Sequence, residues 1–163
     1  MSHSSPQIRS ATPDDAPMLA RIHVQSWQET YHGLLPQSEL DARPFEVRLA
    51  QWRGQIARGV SRIAALPGLG FAQMGPQRSS DAPVAGYPEE LYCLYLLAEA
   101  HGTGQGLLLL NAVRGAAPFT ALVLAGNARA CGFYEKTGGR LLETRPDHIG
   151  HAEISERVYG FDR

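Results

Sequence analysis

Only two cysteines occur in the 163 residues, Cys93 in an apolar strand-like run and Cys131 in a helix-like segment, without CxxC spacing. A disulfide framework and a cysteine zinc site are therefore excluded, and both residues are expected as buried free thiols in a reducing compartment. No apolar stretch approaches the roughly 18 residues of a membrane span, and no secretory segment precedes the first element. Charge of one sign is also lacking: 15 basic against 16 acidic side chains leave a net charge of −1. That balance gives no field for nucleic acid or an anionic membrane surface. Internal repeats are absent, and the longest biased tract is the polar segment from Pro76 to Pro88. The six histidines, including His148 and His151, stand without HExxH or a carboxylate cluster at ligand spacing, so no metal is expected. Together these absences describe a soluble, cytoplasmic protein with no nucleic acid, membrane or metal partner.

What is there suits one folded domain, residues 8–163, behind a short frayed N-terminus, residues 1–7. Apolar residues at 44% and charged residues at 19% support a core without staples and argue against disorder. Thr12, Pro13, Asp14 and Asp15 form a helix start, with a hydroxyl cap, proline at the first position and carboxylates at the positive end. The helix is expected to reach Tyr31, where Gly33 and Pro36 break it. A second begins near Pro44, with Phe45, Leu49, Trp52 and Ile56 on its inner stripe. Ser61–Leu66 and Gly70–Gly75 read as a hairpin. Glu90–Ala98 reads as a central strand, Leu107–Val113 as helix, Pro118–Ala125 as strand and Asn127–Lys136 as a short helix stopped by Gly138 and Gly139. Arg140–Thr144 and Ala152–Gly160 complete the strands.

Between the central strand and the leucine-rich helix lies His101-Gly102-Thr103-Gly104-Gln105-Gly106. A helix starting at Gly104 leaves backbone N–H groups unpaired where its dipole favours negative charge, and glycines let a pyrophosphate approach them. A dinucleotide fingerprint would need glycine where Leu107 stands, and a P-loop would need a missing Gly-Lys-Ser/Thr ending. Alone, the loop is a generic anion site or simply a tight connection.

The wider pattern resembles the GNAT superfamily of N-acetyltransferases. Its acetyl-CoA motif, Q/R-x-x-G-x-G/A, is matched at Gly104 and Gly106 and departs at His101. A second motif, N-x-x-A-x-x-F-Y-x-x-x-G, is met in full by Asn127, Ala130, Phe133, Tyr134 and Gly138. Ser26, Trp27, Thr30, Tyr31, Gly33, Leu35 and Pro36, then Gly70, Phe71 and Ala72, also look like a bacterial subgroup. The resemblance runs from about Ile8 to Phe161. It implies an α+β fold: a mixed, largely antiparallel sheet of six or seven strands with a parallel pair at its centre and helices on both faces.

The same resemblance implies acetyl-CoA as acyl donor, held by backbone groups at Leu94, Tyr95 and Leu96, by His101, Gly102, Thr103, Gly104, Gln105, Gly106 and Leu107, and by Asn127, which also suits a helix cap. Tyr134 becomes the acid that protonates the departing thiolate. Glu90 becomes the base for the attacking amine, with a solvated strand-entry charge as the plain alternative. Trp27 and Tyr31, four apart on one helix face, become a wall of the acceptor pocket or ordinary packing. A protonated His101 imidazole would favour the pyrophosphate. The expected activity is transfer to a primary amine of a small molecule or peptide. Alternatives are a non-catalytic CoA-binding module, another acyl group or a hydroxyl acceptor. A homodimer follows from resemblance alone.

Overall fold

A computed structural model describes residues 7–162; of the N-terminus expected to fray, residues 1–7, all but Gln7 lies outside the described residues. Thr12 opens a short 3-10 turn at Pro13–Asp15, and the Asp15 carboxylate accepts from the Thr12 N–H at 2.7 Å. The α-helix proper, α1, is Ala16–Tyr31, one turn later than the cap implies because the first turn winds tightly. A five-residue helix that the sequence pattern hid, α2 (Gln37–Asp41), precedes α3 (Phe45–Arg58), which ends on left-handed Gly59. After the central strand come α4 (Gln105–Val113) and α5 (Ala128–Lys136).

The strands are β1 (Arg9–Ser10), β2 (Arg62–Leu66), β3 (Gly70–Pro76), β4 (Glu89–Leu96), β5 (Phe119–Leu124), β6 (Arg140–Ile149) and β7 (Ala152–Phe161). They form one seven-stranded sheet in the order β1-β2-β3-β4-β5-β7-β6, antiparallel throughout except for the parallel pair β4–β5. This is the expected mixed α+β sheet. β6 is twice the length expected, because Pro146, Asp147 and His148 continue the strand on the sheet edge, where a missing N–H and polar side chains are tolerated.

Alternation along the strands builds a core on each face. Leu66, Ala72, Met74, Leu91, Phe119 and Tyr159 pack with Leu109, Leu110 and Val113 of α4 and with Cys131 and Tyr134 of α5. On the other face Ala65, Phe71 and Leu97 meet Leu19, Ile22 and Trp52 of α1 and α3. Helices thus cover both faces. A third cluster, Tyr31, Leu35 and Leu40 with Leu124, Ile149 and Ile154, joins the end of α1 and α2 to the β6–β7 hairpin.

Two irregularities open the centre. β4 and β5 pair only at Glu89↔Phe119, Glu90↔Thr120 and Leu91↔Ala121, after which they separate. At the same level the β3–β4 register jumps from Gln73↔Cys93 to Met74↔Leu91, leaving Tyr92 as an extra residue. Such a bulge bends the strand and increases its twist. Where β4 bends away, its β5-side backbone groups from Tyr92 to Leu96 lose their strand partners and border a cleft.

Candidate active site

The cleft encloses about 740 Å³. Tyr92 to Leu96 of β4 form one wall and Leu122 and Val123 of β5 lie opposite. α5 contributes Arg129, Ala130, Phe133 and Tyr134, and Asn127 sits at its start. The glycine loop brings His101, Gly102, Gly104, Gly106 and Leu107 to one end, and Thr30 and Tyr31 of α1 reach the other.

The loop meets the requirements of an anion cradle. Gly104 is the N-cap of α4, left-handed at φ +83°, with no side chain capping the helix. Gly102 is left-handed too, at φ +74°. A Cβ at either position would meet nothing within 4 Å, so glycine is required there by backbone conformation rather than by crowding, and the open side leaves the first amides of α4 accessible. Gly106 is glycine for packing: a Cβ there would lie 3.2 Å from Phe133 and 3.5 Å from Leu96. Thr103 Oγ1 donates to the Ala100 carbonyl at 2.6 Å, and the His101 Nε2–Leu96 O pair at 3.0 Å ties the loop to β4. Thr103 and Gln105, both expected to hold the donor, do not line the cleft. Asn127 Oδ1 accepts from Ala130 N at 3.2 Å and caps α5, while the same residue faces the cleft.

Tyr134 is 6% exposed, packed by Phe133, Tyr159 and Phe161. The chain has six tyrosines. Tyr31 and Tyr95 share a hydroxyl contact of 3.3 Å, Tyr87 donates to Asp162, Tyr92 to the Pro76 carbonyl and Tyr159 to Glu135. Tyr134 alone has no hydrogen-bond partner among the described residues, and it lines the cleft. Burial raises its pKa well above the ordinary phenol range, with nearby Tyr31, Cys93 and Cys131 acting in the same direction.

Glu90 stands apart from this arrangement. It is 3% exposed, outside the cleft lining, and its carboxylate accepts from Arg78 Nη2 at 2.6 Å and from Nε and the backbone N–H of the same residue at 3.2 Å each. All of these donors come from Arg78, so the carboxylate expected as the base is engaged by that residue, outside the lining of the cleft. Glu89 points to the opposite face, where Arg62 Nη2 donates to it at 2.9 Å.

The two acceptor-wall candidates divide. Tyr31 lines the cleft, whereas Trp27 lies behind it, edge-on to Tyr31 at 4.9 Å between ring centroids and under the Arg48 guanidinium. Tyr95, Cys93 and Thr30 complete that wall. Burial pushes the Cys93 thiol up to about 12, so it is no nucleophile at neutral pH. Sequence pattern alone does not single out Thr30 or Cys93 for this wall, nor Leu122 for the one opposite; the β4 bulge at Tyr92 has no local sequence mark.

Among the described residues no group of three or more His, Cys, Asp and Glu is placed to hold a metal ion, and no helix is long and apolar enough to cross a membrane. Cys93 and Cys131 are both free.

No family model matches the chain. An uncharacterized N-acetyltransferase of Bacillus subtilis, YuaI, is 35% identical over 105 residues, a match spanning 63% of this chain and 59% of that protein. A protein of Mycobacterium tuberculosis named as a probable N-acetyltransferase is 26% identical over an alignment covering 93% of this chain and 95% of its own length. Among solved structures, a GCN5-related N-acetyltransferase from Rhodopseudomonas palustris superposes with a TM-score of 0.72 at 19% identity, covering 100% of this chain and 99% of its own. The PaiA N-acetyltransferase of Thermoplasma acidophilum, solved in complex with coenzyme A, gives 0.65 at 22% identity over 94% and 98% of the two chains. YncA of Salmonella typhimurium, solved with acetyl-CoA, gives 0.68 at 18% identity over 98% and 94%. At these identities the superpositions establish the fold: this chain is built on the fold of these GNAT N-acetyltransferase structures, and it spans about 59% of the length of the Bacillus subtilis relative it matches.

Proposed function

We propose that the protein is an acetyl-CoA-dependent N-acetyltransferase that moves the acetyl group to a primary amine of a small molecule or peptide by direct attack in a ternary complex. One observation carries this reading: Tyr134, a buried residue whose phenol is kept protonated by that burial, lines the cleft with its hydroxyl unpartnered among the described residues, while every other tyrosine hydroxyl is already engaged. The names of the two relatives and the coenzyme A and acetyl-CoA complexes of two neighbours support it.

The donor's pyrophosphate suits the uncapped amides of α4, which follow left-handed Gly102 and Gly104. Its pantetheine arm suits the β4 edge from Leu94 to Leu96, left without a β5 partner, with Asn127 across the cleft. A neutral amine entering from the Tyr31 side attacks the thioester carbon. The C–N bond forms, the C–S bond breaks, and its electron pair leaves on sulfur. Tyr134 donates its proton to that thiolate and is re-protonated from solvent. Because Arg78 saturates Glu90, the amine gives its proton to water in the open cleft, and orientation supplies most of the acceleration. The Glu90 clamp also favours one alternative, a CoA-binding module without turnover.

The test is CoA thiol release from acetyl-CoA with a panel of amines, amino acids, peptides and hydroxyl compounds, with product masses assigning the acyl group and the acceptor atom. Tyr134→Phe should lower kcat about 10²-fold while the Kd for CoA changes less than about twofold. CoA binding without acyl transfer to any of these acceptors would overturn the transferase reading.

A further inference from the structure

Four buried side-chain nitrogens lack a hydrogen-bond partner among the described residues, and three of them gather at one place: Trp27 Nε1, Arg48 Nε and Arg48 Nη2. Arg48 lies on α3 and is 6% exposed. Its guanidinium carbon stands 4.5 Å from the Trp27 ring centroid, and only Nη1 is engaged, donating to Gln51 Oε1 at 3.1 Å. The Trp27 N–H lies close to the Tyr95 phenol but outside hydrogen-bond geometry. No carboxylate forms an ion pair with Arg48 among the described residues; the ionisable groups around it are Tyr95, Arg43, Cys93, Tyr31 and His23, and burial brings its pKa down to about 10.

A guanidinium taken out of water without a counter-charge is strongly disfavoured, and interior arginines are ordinarily paired. Arg48 nevertheless sits on the inner stripe of α3, three residues after Phe45 and four before Trp52, where an aliphatic side chain would pack without that penalty. The uncompensated charge lies next to the cleft. Tyr31, Cys93 and Tyr95 line the cleft and are also the groups flanking Arg48, so they form the partition between the two. That partition is weakly latched, since the Tyr31–Tyr95 hydroxyl contact is 3.3 Å long, well beyond the usual O–H···O distance.

We infer that the amine acceptor also carries a carboxylate, and that Arg48, with the Trp27 N–H beside it, is the specificity-determining site that pairs with it. The inference rests on the transferase reading above and names its substrate class. Arg48 Nε and Nη2 present the fork that binds a carboxylate through two parallel hydrogen bonds, and Trp27 Nε1 offers a third donor. The carboxylate displaces the Tyr31–Tyr95 contact and neutralises Arg48. Tyr134 lies on α5 across the cleft from this wall, so the amine end of the same molecule extends toward the thioester. An amino acid is the simplest compound with both groups at opposite ends of a compact body.

Isothermal titration of the CoA-bound protein with each proteinogenic amino acid and its carboxamide tests this directly. At least one amino acid should bind about tenfold or more tightly than its carboxamide, because a site built for the oxyanion leaves its donors unpaired against the amide. Arg48→Gln should reduce that preference to less than about twofold with CoA affinity unchanged. Arg48→Met should melt no lower than the parent, since it removes an unpaired buried charge. Binding that ignores the carboxylate in the parent protein, or a preference that survives in Arg48→Gln, would overturn the inference; the first result needs no variant to fold. Acetyl transfer to amines with and without a carboxylate at equal kcat/KM would sink the inference and leave the transferase reading standing. A carboxylate preference in binding with no acetyl transfer to any amine would do the reverse.

Discussion

Arg78 grips the buried Glu90 carboxylate through three donors, Nη2 at 2.6 Å and Nε and the backbone N–H at 3.2 Å. Its guanidinium also stacks 3.9 Å from the Tyr92 ring centroid, against the residue that forms the β4 bulge. The loop after β3 is thereby pinned to the strand that borders the cleft. Arg78→Ala leaves a carboxylate 3% exposed without its cation. It should cost about 2 kcal/mol, at the low end for a broken buried pair because the Arg78 side chain is 57% exposed. Arg78→Met combined with Glu90→Gln should recover most of that loss in urea unfolding, since the double variant strands no charge. If Glu90→Gln alone abolished turnover while stability and CoA affinity held, Glu90 would regain the role of base.

At the other end of the cleft, Gly150 turns the β6–β7 hairpin with φ +58°, and any Cβ there would collide with the Glu39 carboxylate of α2. That carboxylate accepts the His151 N–H at 3.0 Å and is held in turn by Arg43. The contact docks the hairpin tip on the α1–α2 wall. Gly150→Ala should lose about 2 kcal/mol through left-handed strain and loss of this dock. Acceptor KM should rise while CoA affinity stays constant, because the glycine loop is remote from the tip. Equal losses for both substrates would show instead that the hairpin supports the whole cleft.

His23 supplies the pH dependence of stability. It is wrapped by Trp27, Trp52, Phe71 and Tyr95, and its Nδ1 accepts the Trp52 indole N–H at 3.2 Å. Burial, reinforced by Arg48, lowers its pKa from 6.5 to about 3. The folded chain keeps this imidazole neutral while the unfolded chain protonates it below about 6.5, so the unfolded state binds more protons between the two values. Stability should be intact above pH 6.5 and fall by a few kcal/mol as pH drops toward 3. Unfolding free energies in His23→Gln should be flatter over that interval. A slope identical to the parent's would assign the acid sensitivity to other groups.

Much of this site is legible in the sequence where its parts are contiguous. The glycine loop and the span from Asn127 to Tyr134 are local patterns, since a helix start and a face two turns long are fixed by spacing. The engagement of Glu90 is not legible, because its partner, Arg78, lies 12 residues away in an irregular loop and no local signal reports that contact. Arg48 reads from its type as solvated, and only the packing of α3 shows it buried beside Trp27. β6 was cut short at Thr144 because Pro146 reads as a breaker, and only its place at the sheet edge makes it harmless. The β4 bulge depends on β3 pairing and on the twist of the whole sheet, so it emerges only in three dimensions.

Tyr134 leads to a prediction about the alkaline limb. Acting as the acid, the phenol must be protonated, and it loses competence only above its own pKa. Burial raises that pKa above the ordinary value of 10, so the neutral form persists through the range where an exposed tyrosine ionises. An amine acceptor becomes a better nucleophile as it deprotonates with rising pH. The profile of kcat/KM for the acceptor should therefore climb and then plateau, with no descending limb up to about pH 10. Tyr134→Phe should keep the ascending limb, which belongs to the amine, at a lower plateau. A descending limb near pH 9 in the parent that vanishes in Tyr134→Phe would mean the phenol ionises as if solvated, contrary to its burial against Phe133, Tyr159 and Phe161.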